Sequence, residues 1–216
     1  MAQRIMIEGR EETVLSVREM READAFTIET AVDGCTLMGR AAKGVFDAVK
    51  WESPVAIFAG GGNNGGDGYA LACLLADAGI EAAVYAVSEK LTKDGAYYRA
   101  SAAQKGVKIM PFSADAALSR YPMIVDCILG TGFSGELRQS AADAIQVVNR
   151  EKERGAFVVS VDINSGMNGD SGEAKLAVRS SLTVSIGYYK QGLLADAAKP
   201  YIGRLINVPI GILLPE

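Results

Sequence analysis

Nine residues from Gly60 to Gly68, reading Gly-Gly-Gly-Asn-Asn-Gly-Gly-Asp-Gly, combine six glycines with two amides and one carboxylate. Glycine lets a backbone come close to a ligand, and free amides at a helix start favour an anionic group such as phosphate. A tight strand-to-helix turn needs one or two glycines, so this run reads as a ligand loop. Gly60, Gly62 and Gly65 also satisfy the G-x-G-x-x-G spacing of dinucleotide sites, with Glu89 about two dozen residues on, where a ribose-binding carboxylate would stand. That match is loose. Asn63, Asn64 and Asp67 are foreign to the fingerprint, and Asp67 would oppose a bare pyrophosphate.

Three further stretches carry chemistry. Asp126 interrupts the apolar text Met123-Ile124-Val125-Asp126-Cys127-Ile128, and Gly130-Thr131-Gly132-Phe133-Ser134-Gly135-Glu136 follows it. A buried carboxylate is costly unless paired or coordinated, so Asp126 is either bonded to loop amides or a cation ligand. Asp162 opens Asp162-Ile163-Asn164-Ser165-Gly166 after another apolar run, the position where α/β enzymes place acids and bases. Helix capping explains Asp162 or Ser165 singly but not the whole run. The fourth stretch is Tyr188-Tyr189-Lys190-Gln191-Gly192-Leu193. Lys190 reads by default as a solvated lysine, and otherwise as a phosphate contact or an acid near the site.

Composition narrows the chemistry. The 216 residues include no histidine, which removes Ser-His-Asp and Cys-His catalysis and every His-containing zinc site. A net charge of -4 leaves no basic footprint for nucleic acid or anionic membrane. Three widely spaced cysteines, Cys35, Cys73 and Cys127, fit a reducing cytoplasm rather than a disulfide framework. No stretch approaches the ~20 continuous apolar residues of a membrane span.

The elements that must position these loops follow from hydrophobic rhythm. Ser16 and Glu19 form a capping-box pair that opens a helix running to Thr30. Leu37, Ala41, Val45 and Val49 mark a second helix beginning near Thr36. The continuous apolar run Val55–Ala59 reads as a strand buried on both faces, and Ala82–Val87, Val107–Met110, Met123–Ile128, Phe157–Val161, Leu182–Ile186 and Leu205–Val208 read as further strands. Helices are expected from Tyr69, over Asp94–Gln104 and over Ala141–Arg154. This alternation implies a three-layer Rossmann-like α/β fold, a mostly parallel sheet with helices on both faces, in a single domain over residues 1–216. Residues 1–13 read as a flexible arm. In such sheets ligands sit beyond the carboxyl ends of the strands at a topological switch point, where all four stretches fall.

Together these stretches resemble the YjeF N-terminal domain family, the NAD(P)H-hydrate epimerases, from about Val14 to Ile212. The resemblance is carried by Gly62-Asn63-Asn64-Gly65-Gly66-Asp67-Gly68, Asp126 with Leu129-Gly130-Thr131-Gly132-Phe133, and Asp162-Ile163-Asn164-Ser165-Gly166. Ser16–Met20, Lys190-Gln191-Gly192-Leu193 and Val208-Pro209-Ile210-Gly211-Ile212 support it. The resemblance implies epimerisation at C6 of the hydrated nicotinamide of NADHX or NADPHX, a repair reaction, in a homodimer. Asn63, Asn64, Gly65, Gly66 and Asp67, Gly130 to Glu136, and Asp162 would hold the substrate. Asn64, Asp126 and Ser165 would bind K+, a set of oxygen donors suited to a hard cation. Asp162 is the expected acid/base, with Lys190 the weaker candidate. Gly39-Arg40, Asn164 and Ser134 depart from the family's usual residues. The chain ends at Glu216 without the dehydratase domain often fused to this one, so a separately encoded dehydratase is the expected partner. Two rival readings are a non-catalytic nucleotide sensor or scaffold on this fold, and an NAD(P)-dependent oxidoreductase resting on the G-x-G-x-x-G match, with only Glu89 for the ribose.

Overall fold

The computed structural model describes residues 3–7, 9–133 and 135–215. Its centre is a seven-stranded parallel sheet of β3 (Val55–Ala59), β4 (Ala82–Ala86), β5 (Lys108–Pro111), β6 (Met123–Cys127), β7 (Phe157–Val161), β8 (Leu182–Ile186) and β10 (Arg204–Val208). The spatial order is β10-β8-β7-β6-β3-β4-β5. From β3 the chain builds outward through β4 to the edge at β5. Residues 112–122 then return it to the middle, where β6 pairs with β3 on the opposite side. The topological switch point therefore lies between the carboxyl ends of β3 and β6.

Alternate side chains of each strand feed two cores. Val55, Ile57 and Ala59 pack with α2 (Gly34–Ala48) and α3 (Asn63–Asp77), and α4 (Lys93–Gln104) lies against α3. Ala56 and Phe58 face the other way, onto Ala144, Ile145 and Val148 of α5 (Gln139–Glu153). Burying each such aliphatic or aromatic side chain is worth ~1.5–3 kcal/mol, which fixes the three-layer arrangement. The capping box holds: Ser16 Oγ accepts from Glu19 N at 3.2 Å, and Ser16 N donates to Glu19 Oε2 at 2.9 Å, starting α1 (Val17–Thr30).

Three expectations are corrected. Residues 3–7 and 10–15 are not an arm: β1 (Gln3–Ile7) and β2 (Arg10–Leu15) form an antiparallel pair, and β2 runs parallel to β9 (Tyr189–Lys190). Val14 and Leu15 are buried there, anchoring the ribbon. The second helix starts at Gly34 rather than Thr36, because Asp33 caps it by accepting from Thr36 N at 2.9 Å. The third begins at Asn63, six residues before Tyr69, so most of the glycine run is helix rather than loop. Among the described residues, no helix is long and apolar enough to cross a membrane.

Candidate functional site

A cavity of about 940 Å³ opens at the switch point. Its wall takes Gly60–Asn64 and Asp67 from the β3–α3 turn, Leu129–Phe133 and Glu136 from the segment after β6, and Asp162 from the end of β7. That volume stands near the top of the ~300–1,000 Å³ range of small-molecule sites, as a dinucleotide requires. Gly62 is the N-cap of α3 and offers no side-chain cap, so the first amides of the helix face the ligand space. The turn exists because two backbones meet: an ideal Cβ on Gly60 would fall 1.8 Å from Ile128 O, and one on Gly65 2.0 Å from Gly60 O. Gly60→Ala must push the β3 turn away from β6. It should cost about 2–3 kcal/mol, roughly 5–10 °C in Tm by calorimetry; an unchanged Tm would show that this close approach is not needed.

The cavity floor is acidic. Asp162 has φ 69°, the one non-glycine residue in the left-handed region among those described, and its N–H donates to Val184 O at 2.8 Å. Such strain persists where the surrounding structure over-determines it, commonly at functional sites. Lys190, only 1% exposed, forms an ion pair with Asp162 and donates to Ile186 O at 2.7 Å. The default of a solvated Lys190 is thus corrected. It lies behind Asp162 rather than in the cavity wall, because β9 pairs with β2 and turns it inward.

Two more carboxyls join Asp162. Asp67 is enclosed by protein although it keeps an opening to the cavity, and burial pushes it well above the usual carboxylate range, aided by the charges of Asp162 and Asp24 and opposed by Lys190. Asp24, on α1, was not singled out in the sequence. Burial raises it from 3.8 to about 6, reinforced by Asp162 and opposed by Lys190. Since the folded value lies above the unfolded one, this group's contribution to stability is complete below pH 3.8 and is lost as pH rises through about 6. Asp24→Asn should therefore match the native chain near pH 4 and exceed its stability by about 2 kcal/mol at pH 7.5. Urea unfolding at both values checks this, and an equal loss at both would make Asp24 a packing residue only.

Beneath the loops lies the third constellation. Asp126 is fully buried, and its carboxylate accepts from Ser160 Oγ at 2.9 Å, Ser165 N at 3.0 Å, Ile128 N at 3.2 Å and also Ser165 Oγ. Burial pushes this carboxyl up, against those four bonds. Ser165 Oγ in turn accepts from Leu129 N at 2.8 Å. Asn64 Nδ2 donates to Leu129 O at 2.9 Å, which leaves Asn64 Oδ1 buried with no hydrogen-bond partner. An orphaned amide oxygen beside a carboxylate, a hydroxyl and a backbone carbonyl is a donor set that fits a hard monovalent cation.

The structure brings Asn63, Asn64, Asp67, Gly130, Thr131, Gly132, Phe133, Glu136 and Asp162 to one cavity. Gly65 and Gly66 are buried behind the wall, and Gly135 faces a neighbouring groove instead. Ser134 lies outside the described residues. Glu89 is exposed, absent from the cavity wall, and paired with Arg99 Nη1 at 3.1 Å. Asn164 ties its loop inward by donating to Val178 O and Tyr201 O, both at 2.9 Å, and accepting from Thr183 Oγ1 at 2.7 Å.

Comparison with known proteins places this geometry. A sequence profile described as YjeF-related protein N-terminus matches residues 34–192. An NAD(P)H-hydrate epimerase of Limosilactobacillus reuteri is 34% identical over 200 residues, covering 89% of this chain and 93% of its own. The bifunctional NAD(P)H-hydrate repair enzyme Nnr of Coxiella burnetii is 34% identical over 202 residues, which are 90% of this chain but 41% of that protein. The crystal structure of yeast ynu0 shares the fold with a TM-score of 0.73 at 22% identity, covering 90% of this chain and 86% of its own.

Proposed function

Because the chain belongs to the family of YjeF-related protein N-termini, we propose that it is an NAD(P)H-hydrate epimerase, interconverting the R and S hydrates of NADH or NADPH at C6 of the nicotinamide ring. The observation that carries the reading is the division of charge in one cavity. Unpaired helix amides at its centre suit a pyrophosphate, and a carboxyl cluster at the end of β7 suits a ring that becomes cationic.

The chemistry needs little else. A carboxyl donates a proton to the C6 hydroxyl, the C–O bond breaks with its electron pair leaving as water, and the N1 lone pair forms the C6=N1 iminium. Water then adds to either face of C6, and the carboxylate recovers the proton. Charge and oxidation state are unchanged over the cycle. Asp162 is the group assigned to this exchange. Asp67, whose carboxyl burial pushes well above the usual range, stands beside it. Lys190 fixes Asp162 from behind and balances the charge it bears once its proton has left. Asn63, Asn64 and Asp67, with Gly130 to Phe133 and Glu136, hold the nucleotide.

Asn64, Asp126 and Ser165 would hold K+, with Leu129 O beside them. When bound, the ion supplies positive charge beneath the glycine turn, favouring an anionic nucleotide. A dehydratase acting on the S hydrate would consume the product.

The test is to add the protein to chromatographically resolved R and S hydrates, with and without K+. Accelerated equilibration, faster in K+ than in Na+, is expected. Binding without turnover would replace this reading with a nucleotide sensor.

A further inference from the structure

An epimerase of this kind faces two nucleotides that differ only by a phosphate on the adenosine ribose, and the turn after β4 is where such a fold would tell them apart. In dinucleotide folds of this strand order, the residues after the second strand meet the adenosine ribose. A carboxylate there accepts from a free 2′-hydroxyl, whereas a cation accommodates a 2′-phosphate. Here that strand is β4, and Val87-Ser88-Glu89-Lys90 follows it.

The one carboxylate in this turn is withdrawn. Glu89 reaches away to Arg99 on α4, while Val87, Ser88 and Lys90 form the wall. Lys90 has no ion-pair partner among the described residues. The turn that presents it is fixed, since Ser88 Oγ accepts from Lys90 N and donates to Lys90 O, each at 3.2 Å. It also lies directly on the glycine turn: an ideal Cβ on Gly61 would fall 2.4 Å from Lys90 O and 2.8 Å from Ser88 Oγ. Asp94, the other charged wall residue contributed by this side, sits against the start of α2, where an ideal Cβ on Gly34 would lie 2.5 Å from its Oδ2.

The spacing also suits a dinucleotide. β4 and β7 are separated by β3 and β6, three strand spacings or roughly 14 Å. An extended molecule can therefore place its nicotinamide at Asp162, its pyrophosphate on the α3 amides and its adenosine ribose at the β4 turn. Given the epimerase reading, on which this rests, we infer that the site prefers the 2′-phosphorylated hydrate, NADPHX, over NADHX, with Ser88 and Lys90 receiving the 2′-phosphate.

The experiment compares kcat/KM for the R hydrates of NADPH and NADH in the native protein and in Lys90→Ala. The native protein should favour NADPHX by about tenfold or more, chiefly through KM, as one charge-assisted contact allows. Lys90→Ala should lower that ratio about tenfold, and added salt should lower it in the native protein. Equal or reversed preference, or a ratio unmoved by Lys90→Ala, overturns the inference. Should neither hydrate turn over, the epimerase reading fails by itself, and calorimetric titration then decides the subsite. Tighter binding of 2′,5′-ADP than of 5′-AMP, lost in Lys90→Ala, sustains it, and equal binding overturns it.

Discussion

Asp162→Asn should lower epimerase kcat by at least ~100-fold, because a positioned acid/base contributes about 10²–10⁴ in rate. Asparagine is the informative replacement. It tolerates the left-handed φ of 69° that Asp162 adopts, so the change isolates the charge and proton from the backbone. The substitution also strips Lys190 of its counter-ion. A buried ammonium left alone is destabilising by about 3–5 kcal/mol, which should appear as a lower Tm. The double variant Asp162→Asn, Lys190→Met separates the two effects. It should regain most of the lost stability and none of the lost rate, by calorimetry and by equilibration of resolved hydrates. Wild-type turnover by folded Asp162→Asn would move the acid/base to Asp67 or Asp24.

Asp126→Asn should lower stability about as much as Asp162→Asn does. Four donors converge on this carboxylate, from Ser160, Ser165 twice and Ile128. An amide presents NH₂ to some of them and leaves buried donors opposed, at ~1–3 kcal/mol each. A total of about 3–5 kcal/mol corresponds to roughly 10–15 °C in Tm for a domain of this size. The cation proposal adds a second readout. KCl should raise the Tm of the native protein more than tetramethylammonium chloride at equal ionic strength, and Asp126→Asn should abolish the difference. Equal stabilisation by the two salts in the native protein would remove K+ from this site.

Much of this was legible without coordinates. β3, β6, β7 and β8 are short apolar runs because a parallel strand is covered on both faces, and their ends locate the loops without further information. The start of α3 was not legible. Gly65, Gly66 and Gly68 have poor helix propensity, yet they are helical because the element packs too closely for side chains: an ideal Cβ on Gly66 would sit 2.5 Å from Met38 Cε, and one on Gly68 2.9 Å from Cys127 Cβ. Asp24 was missed for another reason. On α1 it is one acid among Glu19, Glu22 and Glu29, and only its place on the helical stripe of Met20, Ala23 and Thr27 sets it apart.

The sequence by itself determined the class of site: no imidazole, a glycine-rich anion turn, and oxygen-bearing residues at strand ends. Residue type and strand periodicity are local properties, so they survive in one dimension. Only the tertiary structure decided how those groups are charged and directed. It buried Lys190 against Asp162, gathered Asp24 and Asp67 beside them, orphaned Asn64 Oδ1 and turned Glu89 away from Lys90. Protonation and pairing depend on dielectric and on neighbours distant in the chain, and these exist only once the strands, helices and β1–β2–β9 ribbon have packed.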